Sequence, residues 1–138
     1  MRRDQMNEET PPKKLLPEGW RKFLIKSGIE TTSKSGNEMI EFVFVDDKTK
    51  YEEKVYAVSV PKKRWFLKRI LEACGCAGGQ DGVYEWEMSY VVDKYVMGLV
   101  EHSENKYIDR SGVERTGTQS KITDVREITQ EDEKSWVE

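Results

Sequence analysis

Cations interleaved with aromatic rings are the residues of this chain whose types and spacing point to a definite chemistry. Trp20-Arg21-Lys22-Phe23 is one cluster, and Lys62-Lys63-Arg64-Trp65, continued by Lys68-Arg69, is another. Tyr107, Arg110, Arg115 and Lys121 make a looser third. Cations can follow phosphates while rings stack on bases, at ~1–3 kcal/mol per stacked base. Single strands expose the base faces that a duplex hides, so such clusters favour unpaired polynucleotide. Trp20, Tyr95 and Tyr107 are the rings expected to stack. Lys22, Lys26, Lys34, Arg110, Arg115 and Lys121 are expected on phosphates, with Lys62, Lys63 and Arg64 as a secondary basic patch. Core packing is the competing reading. Phe66, with Trp65 near the margin, follows the apolar stripe of a helix whose solvated face would then be Lys62, Lys63, Arg64 and Lys68. Trp20 shares a face with Lys22 and Lys26, and Tyr95 with Met97 and Leu99, so both rings suit either role.

Catalytic constellations are poorly supported. The only histidine, His102, falls on a predicted strand between Glu101 and Ser103, whose side chains point to the opposite face, so no local triad forms. It reads as a partly exposed strand histidine. Cys74 and Cys76 are too close for an unstrained disulfide and, with one histidine, too few for a structural zinc site; they read as small residues at a helix end. Neither glycine-rich phosphate-loop pattern occurs. Asp46-Asp47 reads as a pair of solvated turn acids. Glu41, Glu101 and Asp124, all on predicted strands, leave a metal-dependent nuclease as an alternative, since such a site needs acids converging from several strands. No metal and no cofactor are expected.

Charge is unevenly placed. The 138 residues carry a net charge of -3. From residue 127 onward five acids (Glu127, Glu131, Asp132, Glu133, Glu138) face one base, Lys134, a net of -4 that leaves +1 for the rest. Such asymmetry suits a nucleic-acid partner. The acids precede Trp136, so residues 129–138 read as a disordered acidic tail whose Glu131, Asp132, Glu133 and Trp136 dock on a partner. Without DNA the tail can lie on the protein's own basic surface and compete for it. A plain solubilising tail is the alternative.

The elements that must position these residues follow from periodicity. Residues 1–16 carry no hydrophobic period and read as a flexible arm. Trp20–Lys26 alternates as a strand, with Arg21, Phe23 and Ile25 on one face. Residues 27–37 read as a loop. Glu38–Val45 is a second strand with Ile40, Phe42 and Phe44 on one face, and Lys54–Val60 a third with Tyr56, Val58 and Val60 together. Pro61 opens a helix over residues 62–74 that Gly75 and Gly78 end. Residues 78–82 read as a loop, and Tyr84–Val92 is ambiguous between strand and helical turn. Tyr95–His102 is a fourth strand, with a bulge or bend expected at Gly98. A hairpin turn is expected at residues 109–112, with Tyr107 and Ile108 pairing with residues around Val113 to Thr116, and a fifth strand follows over Lys121–Ile128. The order β-β-β-α-β-β is that of the OB-fold, a five-stranded Greek-key barrel, although other small α+β folds share it. The expectation is a mostly β domain over residues 17–128 with one helix and flexible termini. No run nears the ~20 apolar residues of a membrane helix, and no apolar leader is present, so the expected location is cytoplasmic.

Pro17-Glu18-Gly19-Trp20, followed by a strand and then Ser33-Lys34-Ser35-Gly36-Asn37, resembles the start of a family of small phage early-region proteins. Trp65 and Leu71 on a helix, Gly75 after it, a strand containing Gly98, the Tyr107–Gly112 turn and Lys121-Ile122 extend the likeness over roughly residues 15–128. The family is encoded among replication and recombination genes and is thought to comprise OB-fold single-stranded-DNA-binding proteins. The resemblance implies that fold and function, a host-bacterial cytoplasm, and no catalytic residues. The tail is similar to those by which such proteins recruit replication enzymes. It ends Trp136-Val137-Glu138 where bacterial tails end Pro-Phe, so the same partners are not implied. A non-enzymatic, sequence-tolerant single-stranded-DNA-binding protein is therefore expected, with a protein–protein adaptor of a replication complex and the nuclease as alternatives.

Overall fold

The structure, a computed structural model, describes residues 15–76, 78 and 84–137. Most of the arm, the loop over 79–82 and Glu138 lie outside the described residues. Strand alternation sets up the core. β1 (Gly19–Thr32) buries Phe23 and Ile25, and β2 (Glu38–Asp46) buries Ile40, Phe42 and Phe44. β3 (Glu52–Val58) buries Val55 and Ala57, which turns Tyr56 outward. β4 (Tyr95–Ile108) and β5 (Glu114–Arg126) add Val96, Val100, Ile122 and Val125. The three phenylalanines meet at the centre, with Phe44 6.0 Å from Phe23 and 6.3 Å from Phe42 between ring centroids. Gly98 leaves room for them: a Cβ on it would lie 3.0 Å from the Phe23 ring, a tight contact to which that ring would have to yield.

The strands form one antiparallel sheet in the order β3-β2-β1-β4-β5. The sheet curls until its two edge strands face each other, and Ser120 Oγ donates to Glu53 Oε2 across the gap at 3.3 Å. No ladder joins β3 to β5 among the described residues, so the sheet stays open along this seam. Helix α1 (Arg64–Ala73) lies against β5 and β3 and buries Ile70, Leu71 and Ala73. It ends as a Schellman motif. Gly75 has φ +88°, Cys76 N–H donates to the Leu71 carbonyl at 2.9 Å, and Gly75 N–H donates to that of Glu72 at 3.0 Å. Met88–Tyr90 is a single 3-10 turn.

Three expectations are corrected. The Ser/Thr-rich residues 27–32 are strand, not loop, because Ser27–Thr32 pairs with Glu38–Val43 beyond a bulge at Lys26; ladder partners override weak intrinsic preference. The hairpin expected at residues 109–112 is present, with Tyr107 opposite Arg115 and Ile108 opposite Glu114, and the pairing of β4 with β5 runs back from it as a two-stranded ribbon. Leu16, placed in the flexible arm, is 1 % exposed within the core, and its carbonyl accepts from His102 Nε2 at 2.6 Å. The tail, expected disordered, is a second helix, α2 (Gln130–Val137). Thr129 caps it: Asp132 N–H donates to Thr129 Oγ1 at 3.2 Å, and Thr129 N–H donates back to Asp132 Oδ2 at 2.8 Å.

Candidate nucleic-acid interface

The basic and aromatic residues divide into three places on the curled sheet. The first is the outer face of β1 and β4, where Trp20 opposes Leu99, Lys22 opposes Met97, and Leu24 opposes Tyr95. α2 lies over this face. Lys22 Nζ meets Glu133 at 3.0 Å and sits 4.9 Å from the Tyr95 ring. Arg126 stacks 4.6 Å from the Trp20 ring and holds both oxygens of Asp132, at 2.6 and 2.9 Å. That guanidinium, opposed only in part by burial, holds the Asp132 carboxyl well below the usual range, with Thr129 helping. Trp136 is 9 % exposed; its indole N–H donates to Asp47 at 2.9 Å, and its ring lies 4.7 Å from Arg21 and 4.2 Å from Lys48. Lys26 is paired with Glu52 at 2.8 Å. Trp20, Lys22 and Lys26, expected to be open to a strand, therefore already have partners; Lys26 stays exposed beside Glu52, and Tyr95 is half exposed against Lys22.

The second place is the β4–β5 ribbon. Tyr107 is half exposed and its ring lies against Gly117, where a Cβ would approach it to 3.2 Å. Arg115 is tied to Asp109, which also accepts from Ser111 and Val113; these bonds, Arg115 first, hold the Asp109 carboxyl down to about 2. Arg110 at this turn, and Lys34 in the β1–β2 turn, are exposed and without an ion pair among the described residues.

The third place is the seam between β3 and β5. Two adjoining hollows of about 580 and 570 Å³ share Tyr56, Phe66 and Ile122. Trp65 is 54 % exposed and Tyr56 47 %. Trp65 is braced by Phe66, their centroids 5.5 Å apart. Lys63 and Lys121 line the hollows, with Lys62 and Arg64 beside Lys63 in the chain. All four are exposed and make no ion pair among the described residues. The first turn of α1 contains no acid and no side-chain cap, so no carboxylate there offsets these cations, an arrangement that costs the helix rather than helping it. Lys54, also in the seam, pairs with Glu41 at 3.2 Å, and Glu52 with Lys26.

Sequence reasoning underrated this third group. Trp65, weighed as core, sits on the polar stripe of α1 with Lys68, Arg69 and Glu72, three, four and seven residues on. Tyr56 shares strand parity with Glu52 and Lys54, which marks it as outward. Both signals were present as spacing.

The acids weighed for a nuclease are held apart. Glu41 pairs with Lys54, and Asp124 with Arg69, whose two nitrogens each lie 2.9 Å from it. Among the described residues no three His, Cys, Asp or Glu side chains come together as a metal site. Asp46 is no solvated turn acid: it is fully buried and accepts from Arg21 Nε at 2.7 Å. The cysteines are free thiols, and burial pushes that of Cys74 up to about 12, far from a reactive thiolate. No helix among the described residues is long and apolar enough to cross a membrane. No protein-family model matches the chain and no curated protein is related to it at a significant level.

Proposed function

We propose that this chain binds single-stranded DNA, sequence-tolerantly and without catalysis, along the seam between β3 and β5. Two half-exposed rings, Trp65 and Tyr56, beside four cations with no ion-pair partner among the described residues carry this reading. Tyr56 and Trp65 supply stacking platforms. Lys62, Lys63, Arg64 and Lys121 take the phosphates. The strand order supports an OB-type barrel. β1 lies between β2 and β4, and the β3 and β5 edges are brought together. Barrels of that type bind oligonucleotides on the face of their second and third strands and with the β1–β2 and β4–β5 loops. Tyr56 and Lys54 stand on β3, and Lys34, Arg110 and Tyr107 are placed at or beside those loops. The phage or prophage setting, in replication or recombination in a bacterial cytoplasm, rests on the family resemblance.

Titration of labelled oligo-dT at low salt tests the reading. Trp65→Ala and Tyr56→Ala should each weaken binding by roughly 5- to 150-fold, the equivalent of one lost stack. Trp20→Ala should change binding of a short oligonucleotide little. Absence of binding at low salt ends the proposal and leaves the adaptor reading, which predicts a protein captured through Trp136 instead.

A further inference from the structure

Two features at different ends of β1 lack cover. The first is the far end of the β4–β5 ribbon, which runs on past the start of β1, where Gly19 opposes Val100. From Ser103, opposite Gln119, to Ile108, opposite Glu114, the two strands pair only with each other, a length of roughly 17 Å. A ribbon of two strands is marginal in water on its own. At its tip Ile108 is 74 % exposed and Val113 51 %. Arg110, in the turn between them, is exposed and makes no ion pair among the described residues. The tip is apolar and cationic. The second feature is a hollow of about 530 Å³ beside the end of β1, to which Met39, Ile40, Leu67 and Trp86 give an apolar lining. Glu30 and Glu38 line it too. Glu30 opposes Ile40 and Glu38 opposes Thr32 in the ladder, so both carboxylates share a face with buried Ile40. Neither makes an ion pair among the described residues, and neighbouring like charges weaken the pairing of strands. The hollow is apolar and anionic.

We propose that the ribbon tip of one copy of this chain seats in the hollow of a second copy. Arg110 enters between Glu30 and Glu38, and Ile108 and Val113 meet Trp86 and Leu67. Each side supplies what the other lacks. The tip gains apolar cover for its ribbon, and the two carboxylates gain a cation. A guanidinium suits that seat, because it forks to carboxylate oxygens and also lies flat on an indole. Tip and hollow are different surfaces, so the contact is head-to-tail. Each added copy still presents one free tip and one free hollow, and association runs on until a ring closes. The seam takes no part: Tyr56, Trp65, Lys63 and Lys121 stay open in every copy. The contact goes beyond the strand binding proposed above and does not depend on it.

Light scattering on the full chain from about 10 µM to 1 mM, the range of a weak contact, tests this. The mass should climb with concentration from the 16.1 kDa of one copy. Two variants read the two halves separately: I108S/R110S empties the tip, and E30K/E38K reverses the hollow. All four positions are exposed, so neither variant disturbs the core. Each alone should keep the mass of a single copy. Mixed in equal amounts they should form a species of two copies and stop there, because such a pair holds one intact tip and one intact hollow. A parent chain that stays single throughout the range overturns the inference and leaves the hollow to a basic segment of some other protein. Assembly of E30K/E38K like the parent overturns it as well, as does a mixture that stays single or grows past two copies. Oligo-dT binding separates this contact from the seam. E30K/E38K should bind a short oligo-dT as the parent does. Loss of that binding in I108S/R110S, with the mass unchanged from the parent's, would make the tip a strand contact and end the proposal. A parent that assembles but binds no oligo-dT ends the seam reading and spares this one.

Discussion

Asp46 keeps its charge with no access to solvent. Burial alone would push its carboxyl up. The Arg21 guanidinium, with the Thr49 N–H at 2.8 Å and hydroxyl at 2.9 Å, reverses this and holds it below the usual carboxylate range. The same carboxylate accepts from Lys48 N–H at 3.2 Å, so it shapes the turn that presents Asp47 and Lys48 to Trp136. Removing it strands the Arg21 charge, only 13 % exposed, against the core. Asp46→Ala should therefore cost about 3 kcal/mol in urea unfolding and weaken the seat of α2 with it. A change within experimental error would mean that Arg21 finds another partner. At this scale the sequence was legible wherever parity decided the matter, as at Phe23, Ile25, Phe42 and Phe44. It was not legible at Asp46, because adjacent acids in a polar turn look solvated until a cation from another strand is placed above one of them.

At the scale of elements, α2 was the least readable, and the ribbon was read at its turn but not along its length. Residues 103–108 and 114–120 are polar and mostly exposed, so neither shows an apolar period; their strand character comes from pairing with each other across a tight turn. α2 is short and acidic, and the residues that fix it are distant in sequence: Lys22 and Glu133 are 111 positions apart. A contact of that kind leaves no local signal, although the Thr129-to-Asp132 spacing was a helix-start pattern open to reading. The docking should respond to acid. The Asp132 carboxyl lies below its unfolded value, so its contribution is complete above that value and fades as pH falls through the folded one. α2 should stay docked from neutrality down to about pH 4 and come away below it, seen as loss of the native Trp136 indole signal while core signals persist. Release between about pH 6 and 8 would assign control to some group other than Asp132.

Across the whole molecule, the charge asymmetry visible in the sequence becomes an arrangement of surfaces. The acidic segment, legible as net charge, folds onto the basic face of β1 and leaves the seam cations of β5 and α1 open. Which of the two basic faces would be covered was not readable, because Lys22 and Lys62 look alike until the strand order places them. The division predicts how binding depends on salt. Each phosphate neutralised on a single strand contributes roughly -0.7 to the slope of log affinity against log salt. Lys62, Lys63, Arg64 and Lys121 together should give a short oligo-dT a slope of roughly -3. Replacing Lys62, Lys63 and Arg64 with Ala should flatten it by roughly two units. Lys26→Ala should leave the slope nearly unchanged, since Lys26 already faces Glu52 at 2.8 Å. A triple variant with the parental slope would show that phosphates do not pass the start of α1. A large effect at Lys26 would move the path of a short strand from the seam to the β1 face.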